Sequence, residues 1–325
     1  MTFHQFRGQG PIEGASNNPL VSEVDSFHDP RGYRAGTDLV NAVNVALALK
    51  MPLLLTGEPG TGKTQLAYRL ATELKKTEVL RFDTKSSSQA NDLFYHFDNI
   101  RQFGQSQLNA AAGKPLPQNK EFVRIAAMGL AILRTLDPHV VEARLGPEWQ
   151  HEKPTASIVV IDEIDKAPRD FPNDLLNQIE NLEFSIPELS VSFKADREFN
   201  PIVIITSNSE KQLPEPFLRR CVYHHIEFPE SQTEIEEILG SRLQQLQLDE
   251  LAYRDALALF FALRNQAALA KKPSTSELLD WLLALSKAKL EWDKPLAQQQ
   301  EILTMCLGAL VKTSDDIKIA KSLLT

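Results

Sequence analysis

The stretch GEPGTGKT (residues 57–64) decides the fold, because it joins an apolar run to a helical pattern through closely spaced glycines. It fits the spacing G-x-x-x-x-G-K-[ST], in which backbone N–H groups turn inward around an anion. The N-terminus of the following helix adds a favourable dipole. In this pattern Lys63 reaches the β- and γ-phosphates of a nucleotide and the Thr64 hydroxyl coordinates Mg²⁺. The predicted nucleotide-binding residues of this loop are Gly57, Glu58, Pro59, Gly60, Thr61, Gly62, Lys63, Thr64 and Gln65.

Composition indicates a globular protein with ample material for a core: 325 residues, 42% hydrophobic and 24% charged, with a net charge of −8. The acidic balance argues against a broad nucleic-acid-binding face, although it leaves room for a local basic pore or groove. Cys221 and Cys306 match no metal spacing, and we expect reduced thiols. The N-terminus lacks an apolar signal segment, and the longest apolar stretch, ALALFFAL (256–263), is too short for a bilayer. We therefore expect a cytoplasmic protein without a membrane segment.

Four short apolar runs predict buried strands: MPLLLTG, EVLRFD, SIVVID and PIVIITSN, with a fifth, HHIEFP, ending at Pro229. Helical patterns lie between them. The helix after the first run places Leu66, Leu70 and Leu74 on one stripe. Strands alternating with helices predict a three-layer α/β fold around a mostly parallel sheet.

The character of the chain changes after Pro229. Residues 231–325 contain no convincing strand and are rich in Leu, Ala, Gln and Glu at helical periods. Capping patterns open two of these segments, one with Ser274 and Glu277 as a capping box. We expect four or five helices, and three regions: an N-terminal arm (1–32), an α/β nucleotide-binding core (33–229) and an all-helical C-terminal domain (230–325).

Acidic and amide residues follow two of the predicted strands. SIVVIDEIDKAP (157–168) delivers Asp162 to the phosphate end of the sheet, where it can hold Mg²⁺. Glu163 is then placed to polarise a water for attack on the γ-phosphate. Asn208, at the end of PIVIITSN, could position that water. Asp165 is open to a second interpretation, as a cap of the following helix.

These motifs, taken in this order, resemble the AAA+ ATPases, and more narrowly the MoxR-like group related to the dynein and midasin branch. The resemblance covers about residues 33–290. It implies a P-loop NTPase core with sheet order 5-1-4-3-2, a helical lid and a homo-oligomeric ring, commonly a hexamer. It carries Walker A over to Gly57–Thr64, Walker B to Asp162 and Glu163, and sensor 1 to Asn208, with ATP and Mg²⁺ as cofactors.

The stretch LPEPFLRRC (213–221) occupies the place where this family has its arginine finger. By register Arg220 is the stronger candidate, with Arg219 beside it. A finger supplied by a neighbouring protomer is worth about 10³–10⁵ in rate. The alternative is a pair of solvated surface charges, although no nearby run of carboxylates obviously claims them.

Two insertions support the narrower resemblance. EFSIPELSVSFKADREFNP (183–201) predicts a hairpin before sensor 1, and SSSQANDLFYHFDNIRQF (86–103) resembles the segment that contains a helix 2 insertion. The aromatic residues of the second segment are either core residues or contacts for a partner: Phe94, Tyr95, Phe97 and Phe103.

The lid departs from the family pattern. MoxR-like lids carry a sensor 2 arginine in a GxSxR stretch, whereas here the matching stretch reads KKPSTSELLDW (271–281). Lys271 or Lys272 could take its place, with Lys272 the stronger candidate. The resemblance also points to RGYRAG (31–36) for the adenine pocket, where Tyr33 is expected to flank the base.

The leading hypothesis is a ring-forming, Mg²⁺-dependent ATPase that remodels or matures a protein partner, as MoxR-like proteins do for partners with a von Willebrand factor A domain. A GTP- or ATP-driven motor subunit of a DNA restriction or DNA-processing complex is the alternative, although nucleic acid is an unlikely partner for so acidic a chain. A clamp-loading ATPase and a nucleotide-binding scaffold with little turnover are further hypotheses.

Overall fold

All five predicted strands form, in a computed structural model that describes residues 7, 29–76, 78–208, 213–229, 231–242 and 250–323. Contacts between residues divide the chain into two units. The first contains Gly36–Thr56 and Ala67–His225. The second contains residues 29–35, the segment Gly57–Leu66 and the chain from Ile226 onward. The predicted boundary at 229–230 stays a prediction, and most of the predicted N-terminal arm lies outside the described residues.

Nine strands are found among the described residues, and five of them make one sheet. In chain order they are β1 (Leu53–Gly57), β2 (Val79–Asp83), β3 (Tyr95–Phe97), β4 (Val123–Ile125), β5 (Ile158–Asp162), β6 (Glu183–Ile186), β7 (Val191–Lys194), β8 (Ile202–Ser207) and β9 (Val222–Ile226). The sheet order is β2-β5-β8-β1-β9. Counted among the sheet strands alone this is the predicted 5-1-4-3-2. The strand numbers in the full order are higher because β3–β4 and β6–β7 form two small hairpins that lie between the sheet strands along the chain.

The sheet register brings the carboxyl ends of its strands to one edge. Thr56 of β1 pairs with Ser207 of β8, and Asp83 of β2 pairs with Asp162 of β5, all in parallel. β1 and β5 are buried along their whole length, as continuous apolar runs require. The residues that follow each strand therefore leave the sheet on the same side.

Helices connect the strands of the first unit. They are α1 (Thr37–Leu49), α2 (Lys63–Glu73), α3 (Asn99–Ala111), α4 (Ala127–Leu133), α5 (Pro138–Leu145), α6 (Phe171–Asn181) and α7 (Glu215–Leu218). α2 begins in the Gly57–Leu66 segment and continues into the first unit. Its predicted stripe is largely buried, with Leu66 and Leu70 at most 1% exposed.

The two hairpins correspond to the predicted insertions. β6 and β7 pair antiparallel, which confirms the hairpin predicted before β8. β3 and β4 also pair antiparallel, with α3 between them. Phe94 and Tyr95 lie in the core, and Phe97 packs against it. Phe103, on α3, is 64% exposed, so it alone of the four aromatic residues is free of the core.

The second unit is helical in its C-terminal part, as predicted. Its helices are α8 (Gln232–Arg242), α9 (Leu251–Arg264), α10 (Thr275–Lys287), α11 (Gln300–Leu310) and α12 (Ser314–Ser322). Phe260 and Trp281 are completely buried in its core. The capping box of Ser274 and Glu277 is confirmed at the start of α10. Among the residues that the structure describes, no helix is both long and apolar enough to cross a membrane.

Candidate functional site

The P-loop (residues 57–64) is held in shape by its own backbone. The Lys63 ammonium donates to the carbonyl oxygens of Gly57 at 2.7 Å and Glu58 at 2.9 Å. Thr61 Oγ1 donates to the same Glu58 carbonyl at 2.9 Å. Lys63 is 7% exposed, so its charge is held in place rather than solvated. The P-loop therefore already surrounds the Lys63 ammonium, which is the group that the motif predicts to bind the nucleotide phosphates.

Two glycines of the P-loop have backbones that other residues adopt only under strain. Gly60 has φ +78° and Gly62 has φ +88°. A Cβ on Gly60 would lie 2.4 Å from Ser274 Oγ, and one on Gly62 would lie 2.9 Å from the ring of Tyr33. Both positions therefore require glycine for conformation and for space.

Other residues of the second unit surround the P-loop. Tyr33 is 6% exposed beside Gly62, and burial raises its pKa, so the phenol stays neutral. Ser276 Oγ donates to Gly60 O at 3.2 Å. The amide oxygen of Gln65 is buried and has no hydrogen-bond partner among the described residues. A buried acceptor beside a glycine cradle fits a ligand that brings its own donors.

Arg264, the last residue of α9, is a P-loop contact that the sequence analysis missed. Its Nη2 lies 3.0 Å from Glu58 Oε2, and its Nη1 donates to Pro273 O at 2.6 Å. The guanidinium also stands 3.3 Å from the centre of the Phe228 ring, and the side chain is 10% exposed. Nothing in the sequence marks Arg264, because no motif spacing joins a helix end to a loop about two hundred residues earlier.

The predicted sensor 2 substitutes are placed elsewhere. Lys271 precedes α10, and its Nζ pairs at 3.1 Å with Oε1 of Glu277 in the first turn of that helix. Lys272 is exposed, and no hydrogen bond or ion pair of its side chain is found in the described part of the chain. The structure therefore brings Arg264 and Ser276 to the P-loop, and neither lysine.

Acidic and polar residues at the ends of β5 and β8 form the acidic edge, defined as Asp162, Glu163, Asp165, Thr206, Ser207 and Asn208. Thr206 is fully buried and links two of them. Its hydroxyl donates to Asp162 Oδ1 at 2.5 Å and accepts from the Glu163 N–H at 2.9 Å. One hydroxyl thus orients both residues of the predicted Walker B pair.

Glu163 stands in a strained conformation with its carboxylate held on both sides. Its φ of +55° is left-handed, which costs a non-glycine residue free energy and often marks a functional site. Asn208 Nδ2 donates to its Oε1 at 3.3 Å, and Lys166 pairs with its Oε2. The structure therefore brings Glu163 and Asn208 together, as the motifs predict.

Asp165 does not cap the following helix, whose N-cap is Asp170. Its Oδ1 instead accepts from Ser207 Oγ at 3.1 Å and from the Asn208 N–H at 3.0 Å. The interpretation as a helix cap is thus wrong. Asp165 fixes the backbone that presents the Asn208 amide.

Arg219 and Arg220 are both exposed, and each has a glutamate partner. Arg219 pairs with Glu215 on the preceding turn. Arg220 Nε lies 2.8 Å from Glu180 Oε1 on α6. Each arginine is thus paired with a single glutamate rather than with a run of carboxylates. Such exposed pairs are worth about 0–1 kcal/mol and exchange easily.

The polar groups present fit Mg²⁺ chemically. The Thr64 hydroxyl and the Asp162 carboxylate are hard oxygen donors of the kind that Mg²⁺ prefers. Asp162 also already attracts a cation, since Arg81 Nη2 lies 2.8 Å from its Oδ2. This carboxylate therefore already faces a positive group.

The family model of the AAA domain, dynein-related subfamily, matches residues 52–221, which is more than half of the chain. The chain belongs to this family. As an AAA+ protein it is an ATP hydrolase with a nucleotide-binding P-loop. A comparison with curated proteins finds no match.

Solved structures similar to this AAA domain include the FIGL-1 AAA domain in complex with ADP, at 17% identity over 85% of this chain and 72% of that chain, with a TM-score of 0.34. Two structures of RuvB from Thermotoga maritima, a single-residue variant and the Holliday junction branch migration motor, are 15% and 14% identical. Both cover 87% of this chain and 65% of their own, with TM-scores of 0.40. These resemblances carry no argument about activity.

Proposed function

We propose that this AAA+ protein is a ring-forming, Mg²⁺-dependent ATPase of the MoxR-like group, which remodels or matures a protein partner. The observation that carries the proposal is the placement of Glu163. Its carboxylate follows directly after Asp162 and is held by Asn208 at 3.3 Å and by Lys166. A carboxylate fixed beside an amide at a strand end is suited to activate and position one water.

We assign the remaining roles from the P-loop and the acidic edge. The P-loop backbone and Lys63 bind the β- and γ-phosphates, and Thr64 and Asp162 hold Mg²⁺. When bound there, the ion would supply positive charge against the charge that develops on the transferred phosphoryl group. Glu163 accepts the proton of the attacking water, which Asn208 orients. Gln65 and Tyr33 contribute to the nucleotide pocket.

Assembly into a ring is proposed because the predicted fingers face solvent. Arg220 is 43% exposed and Arg219 is 76% exposed, and each forms a weak surface ion pair with a glutamate. Because this ion pair is weak, the guanidinium can leave its glutamate and bind the phosphate of a nucleotide on a neighbouring protomer with little loss of free energy. We assign the finger to Arg220, with Arg219 at the same interface.

The client we propose is a protein with a von Willebrand factor A domain, on the strength of the MoxR-like resemblance alone. A protein client should raise ATP turnover when added to the purified ring. DNA should leave turnover unchanged. Measuring hydrolysis of both triphosphates checks the nucleotide, since a clear preference for GTP would favour a restriction-type motor.

The ring is tested by mixing inactive variants. Arg220→Ala should keep ATP binding and lose about 10³–10⁵ in turnover, because its own P-loop and acidic edge are intact. Arg219→Ala is the matched control and should lose far less. Mixing Arg220→Ala with Glu163→Gln should restore part of the turnover, because some interfaces then combine an intact base with an intact finger. Normal turnover by Arg220→Ala alone would overturn the proposal.

A further inference from the structure

A guanidinium already pairs with one carboxylate oxygen of Asp162, the proposed metal ligand. Arg81, on β2, places Nη2 2.8 Å from Asp162 Oδ2. The Asp162 side chain is only 8% exposed, so the pair is shielded on the carboxylate side. The other oxygen, Oδ1, accepts the Thr206 hydroxyl. Both oxygens of the ligand are thus engaged by groups of the protein.

A second carboxylate lies within reach of Arg81 on its own strand. Arg81 Nε lies 2.7 Å from Asp83 Oδ1, because residues two apart in a strand point to the same face. Asp83 is also the register partner of Asp162 in the neighbouring strand. The guanidinium therefore bridges two strand ends, and it can leave Asp162 while keeping an ion pair with Asp83.

A divalent ion on Asp162 would compete with this guanidinium. Mg²⁺ binds carboxylate oxygen at about 2.0–2.1 Å and demands near-ideal octahedral geometry. A guanidinium hydrogen-bonded to the same oxygen would stand against the ion and its bound water. Positive charges a few ångströms apart repel strongly when the site is partly shielded from solvent. Occupation of Asp162 by a metal and by Arg81 is therefore mutually unfavourable.

We propose that Arg81 is an exchangeable counter-ion of Asp162, which releases Asp162 and stays paired with Asp83 alone when the metal arrives. The inference rests on the proposed function, since it takes Asp162 as a metal ligand. Arg81 then lowers the metal affinity, and Asp83 restores part of it by drawing the guanidinium away.

The exchange predicts effects of opposite sign at two neighbouring positions. Arg81→Gln should tighten metal binding about 2- to 5-fold, the range expected for loss of a partly exposed ion pair. Asp83→Asn should weaken it about 2- to 5-fold, because the guanidinium is then confined to Asp162. In the Arg81→Gln background Asp83→Asn should have little effect, because its influence passes through Arg81.

The test is a titration of the full chain with Mn²⁺ at saturating ADP, following free Mn²⁺ by electron paramagnetic resonance. Lys85→Gln is the matched control, because it removes the same charge from an exposed residue just beyond β2. Its effect measures the general electrostatic contribution of one positive charge. Asp162→Asn reports separately whether Asp162 holds the metal.

We expect Arg81→Gln to bind Mn²⁺ more tightly than Lys85→Gln does. Asp83→Asn should bind Mn²⁺ more weakly than the unmodified chain. The effect of Asp83→Asn should disappear when it is combined with Arg81→Gln. Equal behaviour of Arg81→Gln and Lys85→Gln, with Asp162→Asn weakened, would overturn the counter-ion role while leaving the metal assignment intact. An unchanged affinity in Asp162→Asn would overturn both.

Discussion

The P-loop and the acidic edge are built in contrasting ways. The P-loop is one run of eight residues, and its shape depends on its own carbonyls, which bind Lys63 and Thr61. The acidic edge depends on side chains from separate strands, joined by Thr206 and Asp165. The phosphate-binding loop is therefore encoded in one contiguous stretch, whereas the geometry for hydrolysis depends on correct pairing of β5 with β8.

This difference predicts that variants of the two regions have different effects on nucleotide affinity and on turnover. Changes in the P-loop should remove nucleotide affinity and turnover together. Changes at Glu163, Thr206 or Asn208, which are not assigned to the metal, should remove turnover and leave nucleotide affinity nearly unchanged. A variant at one of these three positions that loses affinity would show that the two regions are not independent.

The largest effect is expected for Lys63→Ala. The ammonium supplies charge-assisted hydrogen bonds worth about 1.5–3 kcal/mol each, and in the free protein it also bridges Gly57 and Glu58. ATP affinity should fall at least about 100-fold, measured by calorimetric titration. Lys318→Ala, at a lysine whose side chain is 77% exposed, is the control and should bind normally. Retained affinity in Lys63→Ala would refute the P-loop assignment.

An intermediate effect is expected for Thr206→Val, which keeps the shape and removes the hydroxyl. The Glu163 N–H then loses a buried acceptor, at a cost of about 1–3 kcal/mol. Turnover should fall about 10- to 100-fold, while ATP affinity stays the same.

Thr84→Val is the matched control for this prediction. Thr84 is also buried, but its hydroxyl has no hydrogen-bond partner in the described part of the chain. Its replacement should be neutral or slightly stabilising. Equal turnover in the two valine variants would show that the Thr206 hydroxyl does not orient the acidic edge.

The smallest effect is expected for Arg264→Met. It removes the ion pair with Glu58, the hydrogen bond to Pro273 O and the contact with Phe228. The free energy of unfolding should fall by about 1–3 kcal/mol, measured by urea denaturation. Glu58→Gln should cost less than about 1 kcal/mol, because Glu58 is half exposed. A larger loss for Glu58→Gln than for Arg264→Met would contradict this ranking.

Much of the sheet and the whole P-loop were predictable from the sequence, because the sheet strands are continuous apolar runs and the P-loop is a contiguous motif. Glu163 and Asn208 were also predictable, since each directly follows a strand. The partners that hold them were not. Thr206 lies 44 residues from Asp162, and Arg264 lies 206 residues from Glu58, so each pairing exists only through the fold. The same holds for Glu180 and Arg220, whose ion pair joins α6 to the chain after α7.

The most direct test of the account is the ATP turnover of Glu163→Gln, measured together with ATP affinity on the same preparation. The amide keeps the shape of the side chain and cannot accept the proton of the attacking water. We predict a loss of about 10²–10⁴ in turnover with ATP affinity unchanged within about threefold. Turnover close to that of the unmodified protein would contradict the assignment of Glu163 as the base.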